Sequence, residues 1–392
     1  MDSRGDQLLN WVGTWYAAPM QMPASGLAGR TLRQIVHVSA GGGQVRLRLS
    51  NRYGNATVTL RSVSVGLVQD GPVVQAGAQT VLFDGQAMVT LEPGQEVISD
   101  PVALRVEALS KLAVSFFVAQ GECTTGHMSA QQHSYVSVPG DYSAVLAEAA
   151  FLAYPLITTS WWLLSGIDVI PTTPLNAVVA LGSSVTDGYG STPNANHSWP
   201  SYLAKRLLEA GGTRRMAVLN AGISGNQLLA AEPAQSLPEI EVPHFLCGEA
   251  GRQRLAWDVL GQPGATDLIV HIGSNDLRAG VPAMVLIEAF QQLAQRARQS
   301  YHRVFGTTLL PGGYPPQQIP QRQLFNRWML EQGIQHFDAI FDFAAPLRSA
   351  EDESLLNPAY DSGDGVHPND NGYQLMAAAI DINQLSGSHQ GQ

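Results

Sequence analysis

The spacing of apolar residues changes near residue 172, and this change limits the folds that the chain can adopt. From about residue 10 to 170, apolar and polar residues alternate; in "QVRLRLSN", Val45, Leu47 and Leu49 fall on one face of a strand. Many short runs of this kind, separated by turns such as "NRYGN" and "EPGQ", are typical of antiparallel strands. The first half is therefore predicted to be a β-sandwich or jelly roll.

A different pattern follows the segment "PTTP" at residues 171 to 174. Short apolar runs such as "NAVVALG" and "TDLIVHIG" alternate with helical segments such as "SYLAKRLLEAGG". This alternation predicts a parallel sheet with helices on both faces, an α/β/α fold. We expect a two-domain chain, with an antiparallel β-sandwich of jelly-roll type at 1–172 and the α/β/α domain at 173–392.

Charge and hydropathy argue against two classes of partner. The formal net charge is -10 and no basic stripe is present, which disfavours nucleic acid and anionic membrane surfaces. The most apolar stretch, "AAFLAYPLITTSWWLL", is interrupted by Pro155 and is shorter than a comfortable membrane span. We expect no nucleic-acid partner and no membrane span, and the sequence leaves the oligomeric state open.

The compartment and the cysteines are less constrained by the sequence. The opening "MDSRGDQLLNW" lacks the apolar core of a signal peptide, so the protein is cytoplasmic or its export signal is missing from this sequence. The 39 glycines and the low lysine content favour a secreted or periplasmic protein. Cys123 and Cys247 are too few for a zinc cluster. A single disulfide between the two cysteines remains an alternative, but two unpaired thiols are favoured.

Residues suited to chemistry follow the predicted strands of the second half. In parallel α/β sheets, ligands bind beyond the carboxyl ends of the strands. The first strand ends in "GSSVTDG", which contains Ser183 and Ser184, the second in "NAGISGNQ" and the third in "GSNDL". The segment "DSGDGVHPNDNGY" precedes the last predicted helix. Together these four segments hold a serine, a glycine-rich turn, an asparagine and an aspartate–histidine pair.

Acyl transfer by a serine requires this set of groups. The hydroxyl is a weak nucleophile until an imidazole accepts its proton, and an acceptor on the other ring nitrogen orients that imidazole. The tetrahedral intermediate also requires donors for its oxyanion, which backbone N–H groups and a side-chain amide can supply.

Each segment also has a purely structural interpretation. A serine can be a helix N-cap, a glycine turn a C-cap, and an Asn–Asp pair a turn that ends a strand. A calcium loop in "DSGDG" is disfavoured, because its spacing does not fit the EF-hand pattern. We expect neither a metal nor a cofactor.

In this order, the four segments resemble those of the SGNH hydrolases, also called the GDSL esterase/lipase family, over residues 175 to 385. The resemblance implies a flavodoxin-like α/β/α fold for the second domain. It also implies that Ser184 is the nucleophile, His367 the base and Asp364 the partner that orients the base. The family usually has an aspartate where this chain has Ser183. No "GxSxG" elbow occurs, which argues against an ordinary α/β-hydrolase.

The same resemblance implies an oxyanion hole with three donors. These are the backbone N–H groups of Ser184 and Gly225 and the side-chain amide of Asn275. The first half is also similar to known proteins, since "WVGTWYAAP" and "TTSWWLLSGIDV" resemble exported bacterial esterases that carry a β-sandwich before the SGNH domain.

The two resemblances imply a serine esterase whose partner is a small-molecule or polysaccharide ester. Short-chain carboxylic esters, including acetyl esters of plant polysaccharides such as xylan, are the leading substrates. Among enzymes, the alternative is a lipase, arylesterase or feruloyl esterase that acts on larger esters. Outside enzymes, the alternative is a glycan-binding protein with an inactive SGNH domain. The intact serine, glycine, asparagine and histidine set favours an active enzyme.

Overall fold

The computed structural model describes residues 10–152, 156–230 and 247–387. Within these ranges the chain forms an N-terminal β domain of antiparallel sheets and a C-terminal α/β domain around a parallel sheet. The predicted two-domain fold class is thereby confirmed. Residues 1–9, on which the expectation about a signal peptide largely rests, lie outside the described residues.

In the part of the chain that is described, the N-terminal β domain consists of strands of 2 to 13 residues and one short helix. They are β1 (Val12–Tyr16), β2 (Met20–Gln21), β3 (Arg30–His37), β4 (Gln44–Ser50), β5 (Val58–Asp70), β6 (Val73–Val74), β7 (Gln79–Thr80), β8 (Met88–Leu91), β9 (Glu96–Ile98), β10 (Lys111–Gln120), β11 (Thr125–His127), β12 (Ser134–Pro139), α1 (Ala149–Leu152), β13 (Leu156–Thr158), β14 (Trp161–Trp162) and β15 (Leu164–Ile170).

These strands form three antiparallel sheets. Their strand orders are β1-β15-β4-β9, then β13-β12-β3-β10-β5-β6 with β7 and β8 also on β5, and β14-β11-β2. Val45 and Leu47 of β4 are fully buried and share one core with Val114 and Phe116 of β10. The first two sheets therefore pack face to face, as the alternating sequence of β4 predicts.

The C-terminal α/β domain alternates strands and helices. Its elements are β16 (Asn176–Gly182), α2 (Ser184–Asp187), α3 (Trp199–Ala210), β17 (Met216–Gly222), α4 (Gly251–Arg254), β18 (Ala265–His271), α5 (Ser274–Arg278), α6 (Ala283–Ala297), β19 (Arg303–Thr307), α7 (Ile319–Gln332), β20 (Ala339–Phe341) and α8 (Asp370–Ala378). A π-helical turn at Leu255–Val259 continues α4, and 3₁₀ turns lie at Gly212–Arg214, Pro316–Gln318 and Gly333–Gln335.

The parallel sheet has the order β17-β16-β18-β19-β20, which is the flavodoxin-like order. Along β16, Val178 and Ala180 face the core under α3 and α8, whereas Ala177 and Val179 face the core under α6 and α7. Because both faces of the strand are covered, its sequence is a continuous apolar run rather than an alternating one.

The carboxyl ends of three neighbouring strands, β17, β16 and β18, lie at one level. Gly182 of β16 pairs with Gly222 of β17 on one side and with His271 of β18 on the other. The segments "GSSVTDG", "NAGISGNQ" and "GSNDL" therefore leave the sheet side by side.

The two domains share one continuous apolar core. Strand β1 packs along β17, the edge strand of the parallel sheet, so closely that a Cβ on Gly13 would lie 2.8 Å from Leu219 Cδ1. The backbone N–H of Val218 in β17 donates to Ser39 Oγ at 2.9 Å, and that of Gly13 donates to the carbonyl of Pro263 at 2.9 Å. The β domain thus covers a sheet edge that would otherwise expose unpaired backbone groups.

Two expectations concern single features of the chain. Cys123 and Cys247 are both buried free thiols, and burial raises the pKa of Cys123 to about 12. Within the described residues, no helix combines the length and the apolarity that crossing a bilayer requires.

We expect a chain of residues 173–392 to aggregate, because losing β1 exposes Leu219 and the edge of β17. Sedimentation and binding of a hydrophobic dye measure this, with residues 10–387 as the control that keeps every described element. A monodisperse 173–392 chain with the unfolding midpoint of the control would contradict the expectation.

His271 should make stability depend on pH. Its ring lies in β18, with Nδ1 2.8 Å from Thr307 Oγ1, and burial lowers its pKa to about 3. Below about pH 6.5 the unfolded chain binds a proton at this residue and the folded chain does not, so the free energy of unfolding falls. From pH 8 to pH 5 this residue should remove about 2 kcal/mol.

Urea unfolding at both pH values measures this effect. His271→Leu should lose less stability between pH 8 and pH 5 than the wild type, whereas His302→Leu, at an exposed position, should keep the wild-type dependence. Equal slopes for the wild type and His271→Leu would refute this account.

Candidate active site

The segment "GSSVTDG" turns sharply from β16 into α2. Gly182 is required at the turn, because a Cβ there would overlap the side chain of Thr186. Ser183 occupies the N-cap position, but its side chain makes no capping hydrogen bond. Ser184 is the first residue of α2 and is 7% exposed. The turn therefore holds the Ser184 hydroxyl at the carboxyl end of the sheet rather than using it as a cap.

His367 and Asp364 lie in the loop before α8. Nε2 of His367 lies 2.9 Å from Ser184 Oγ, and Nδ1 lies 2.6 Å from Asp364 Oδ2. The other carboxylate oxygen, Oδ1, accepts the backbone N–H groups of Val366 and His367, both at 2.8 Å. The structure thus brings the three residues into one chain of hydrogen bonds.

The charge of Asp364 fixes the tautomer of the His367 imidazole. Partial burial would raise the pKa of Asp364, but the hydrogen bonds and the charge of His367, together with two backbone N–H groups, hold it well below its ordinary value. An ionised carboxylate only accepts hydrogen bonds, so Nδ1 of His367 carries a proton. In the neutral imidazole, Nε2 is then free to accept the Ser184 hydroxyl proton.

The loop that carries this pair is folded by Asp361. Its carboxylate accepts the N–H of Gly363 at 2.9 Å and that of Gly365 at 3.1 Å, and the N–H of Ser362 donates to the carbonyl of His367. The Asp361 oxygens thus accept backbone donors. Within the described ranges, no three histidine, cysteine or acidic side chains converge as metal ligands.

Gly225 follows β17 in a tight turn. Its φ of +79° is a conformation that favours glycine, and a Cβ would lie 2.7 Å from Cys247 Sγ. Among the described residues, neither the N–H of Gly225 nor that of Ser184 has a hydrogen-bond acceptor. Both donors are therefore available to a bound group.

The amide of Asn275 is oriented by two contacts. Its Nδ2 donates to the carbonyl of Asn226 at 3.0 Å, and its Oδ1 accepts from Arg278 at 3.3 Å. An amide nitrogen has two hydrogens, and the described residues supply an acceptor for one of them. The contact with Asn226 also ties Asn275 to the turn that holds Gly225.

Sequence reasoning missed two carboxylates inside the segments that it singled out. Asp187 in "VTDG" accepts the N–H of Ser224 at 2.9 Å and its hydroxyl at 2.7 Å. Asp276 in "GSND" accepts the N–H groups of Leu228 and Leu229, and burial raises its pKa to about 6. Both fix the loop after β17, and their place beside the predicted residues was the available signal.

Two further residues near the site had no sequence signal. The guanidinium of Arg254 is buried and donates to the carbonyls of Gly182 and Ala221, at the ends of β16 and β17. Tyr189 is 44% exposed, and its ring centroid lies 4.7 Å from that of His367. Tyr189 therefore forms an open aromatic wall beside the imidazole.

The model of the GDSL-like lipase/acylhydrolase family matches residues 180–375, which include all of these segments. The chain belongs to this family. It is accordingly a carboxylic ester hydrolase with an SGNH domain. The family predicted from the four sequence segments is therefore confirmed, while the roles of the individual residues stay predictions.

Solved structures also resemble the chain. A GDSL-like lipase from Bacteroides thetaiotaomicron is 21% identical, with a TM-score of 0.37 over 53% of this chain and 87% of that one. An acetyl xylan esterase from Geobacillus stearothermophilus is 18% identical, with a TM-score of 0.39 over 55% and 97%. An active-site mutant of a family two carbohydrate esterase from Clostridium thermocellum is 13% identical, with a TM-score of 0.39 over 93% and 96%. The comparison with curated proteins gave no match.

Proposed function

We propose that the protein is a serine esterase in which Ser184 is the nucleophile, His367 the general base and Asp364 the residue that orients the base. One observation carries the proposal. The hydroxyl, the imidazole and the carboxylate form a continuous chain with distances of 2.9 Å and 2.6 Å. This is the geometry that general-base activation of a serine requires.

In the first half-reaction, Ser184 Oγ attacks the ester carbonyl carbon while its proton passes to Nε2 of His367. The carbonyl electrons move to oxygen and form a tetrahedral oxyanion. When the intermediate collapses, the C–O bond to the alcohol breaks and the alcohol leaves with the proton from His367. Water then attacks the acyl-enzyme by the same steps and releases the carboxylic acid. Asp364, whose pKa is low, stays ionised and stabilises the imidazolium.

The oxyanion is proposed to bind the N–H groups of Ser184 and Gly225 and the second N–H of Asn275 Nδ2. Support comes from the two backbone donors that lack acceptors among the described residues, and from the amide that is held by Asn226 and Arg278. Donors fixed before the reaction stabilise developing charge without reorganising.

Short-chain esters are the proposed substrates, with acetyl groups on neutral plant polysaccharides such as xylan as the leading case. The exposed ring of Tyr189 beside His367 offers an apolar face to a bulky alcohol such as a sugar. The net charge of -10 favours a neutral substrate over an anionic one. A panel of chromogenic esters of rising acyl length, together with acetylated xylan, separates this proposal from a lipase, an arylesterase or a feruloyl esterase.

The boundary between the domains is proposed to lie between residues 172 and 173. Strand β15 ends at Ile170 and β16 begins at Asn176, so the boundary falls in the connection between an antiparallel and a parallel sheet. A secreted or periplasmic location is proposed on the glycine-rich, lysine-poor composition, since esters of plant polysaccharides lie outside the cell.

Ser184→Ala should abolish turnover, with a loss on the order of a millionfold in kcat, because no other group can form the acyl-enzyme. Ser183→Ala is the matched control and should keep most of the activity, since its hydroxyl is not bonded to His367. Release of p-nitrophenol from p-nitrophenyl acetate measures both. If Ser184→Ala kept its activity and Ser183→Ala lost it, Ser183 and not Ser184 would be the nucleophile, and the proposal would be wrong.

Asn275→Ala should lower kcat by about 10²–10³ and change KM much less, because the amide acts on charge that develops in the transition state. Asn176→Ala, at the opposite end of β16, removes an amide of the same type away from the site and should leave kcat unchanged. If Asn275→Ala raised KM alone, the amide would position the substrate and not stabilise the oxyanion.

A further inference from the structure

We propose that His127 of the β domain is a positioning residue for the oxyanion hole, acting through Asp187 and Ser224 on the turn that holds Gly225. The inference rests on the proposed function, in which the N–H of Gly225 binds the oxyanion. It makes the β domain a part of the catalytic machinery through one defined chain of polar contacts.

His127 is held between an acceptor of its own domain and one of the other domain. It lies in β11, is 3% exposed, and has Nδ1 3.0 Å from the carbonyl of Ala18 and Nε2 2.9 Å from Asp187 Oδ1. A carbonyl oxygen and a carboxylate both accept, so both ring nitrogens carry a proton and the ring is an imidazolium. Burial opposes this charge, but the charge and the hydrogen bond of Asp187 outweigh burial and raise the pKa of His127.

Asp187 links this contact to the oxyanion turn, which is the turn that holds Ser224 and Gly225. It is the last residue of α2, whose first residue is Ser184. While Oδ1 binds His127, Oδ2 accepts both the N–H and the hydroxyl of Ser224, the residue before Gly225. One carboxylate therefore links the helix of the nucleophile, the turn of the oxyanion donor and the β domain.

Helix α2 packs tightly against the end of β17, where the oxyanion turn begins. A Cβ on Gly222, at the end of β17, would overlap the backbone of Asp187, so α2 and the start of the turn are in direct contact. A shift of Asp187 toward or away from the β domain would therefore move Ser224 and Gly225 relative to Ser184. Misplacement by about 1 Å can cost on the order of 10²-fold in rate.

Stability alone does not account for this ion pair. Apolar contacts such as that of Gly13 with Leu219 already join the domains. A buried ion pair is costly to desolvate, and apolar residues of similar volume often stabilise a fold equally well. The pair between His127 and Asp187 is instead aimed at the oxyanion turn, and this fits a role in positioning.

The test compares His127→Phe, which keeps a ring but removes both donors, with Ser39→Ala, which removes the interdomain hydrogen bond to Val218. With p-nitrophenyl acetate, His127→Phe should lower kcat about 10- to 100-fold and change KM about twofold or less. Binding of a trifluoromethyl ketone, whose adduct carries an oxyanion, should weaken in parallel. Ser39→Ala should keep kcat within about twofold even where its unfolding midpoint falls.

Ser224→Ala gives a second route to the same link, in a half-buried turn and without a change in the domain interface. It should also lower kcat, and the double variant His127→Phe with Ser224→Ala should lose no more than the larger single effect, because both act through Asp187. If His127→Phe does not fold, His127→Gln, which can keep one donor for Asp187 and lacks the charge, takes its place with a smaller expected loss of kcat.

Unchanged kcat in the His127 and Ser224 variants, equal losses of kcat in Ser39→Ala, or additive effects in the double variant would overturn the inference. Ser184→Ala is measured alongside. If it keeps turnover, the proposed function itself fails; if it is inactive while the His127 variants are fully active, only the positioning role fails.

Discussion

The close approach of α2 to the ends of β16 and β17 is the contact on which the rest of the site depends. A Cβ on Gly182 would overlap Thr186, and one on Gly222 would overlap the backbone of Asp187. Two strands that end in glycine at one level therefore let the helix sit directly on the sheet edge. This places the Ser184 hydroxyl where the loop of His367 can reach it, and it brings Asp187 within reach of the turn of Gly225.

Apolar and polar contacts between the domains have different consequences. The core shared by β1 and β17 removes apolar surface from water, and this drives association without fixing a precise geometry. The polar contacts end on specific atoms. Besides His127 with Asp187, the hydroxyl of Tyr16 donates to Asp258, which pairs with Arg254 beneath the strand ends. The β domain therefore supplies both the area that holds the domains together and the contacts that set their register.

Much of this arrangement could be predicted from the sequence, because it follows from local patterns. The change of period predicted the two sheet types, and the inward face of β4 followed from strict alternation. Residues at strand ends were found because parallel strands direct their carboxyl ends to one edge. The structural alternative, in which a serine side chain caps α2, does not hold, because Ser183 occupies the N-cap position and its side chain makes no capping hydrogen bond.

The rest could not be predicted, because it depends on contacts between distant segments. His127 and Asp187 are 60 residues apart and lie in different domains, and no periodicity links them. The burial of Arg254 in the second domain follows from the path of α4 under the strand ends, which a helical pattern alone does not give. Nothing in the sequence indicated that the partly exposed ring of Tyr189 would lie against the ring of His367.

Labelling with a p-nitrophenyl alkylphosphonate tests the central claim most directly, because the phosphonyl adduct is stable and marks the attacking atom. We expect each chain to release one equivalent of p-nitrophenol as activity is lost, with fragmentation of the labelled peptide placing the phosphonyl group on Ser184. The Ser184→Ala variant should take up no label. A phosphonyl group on Ser183, or full ester hydrolysis by a protein that the phosphonate leaves unlabelled, would contradict the account.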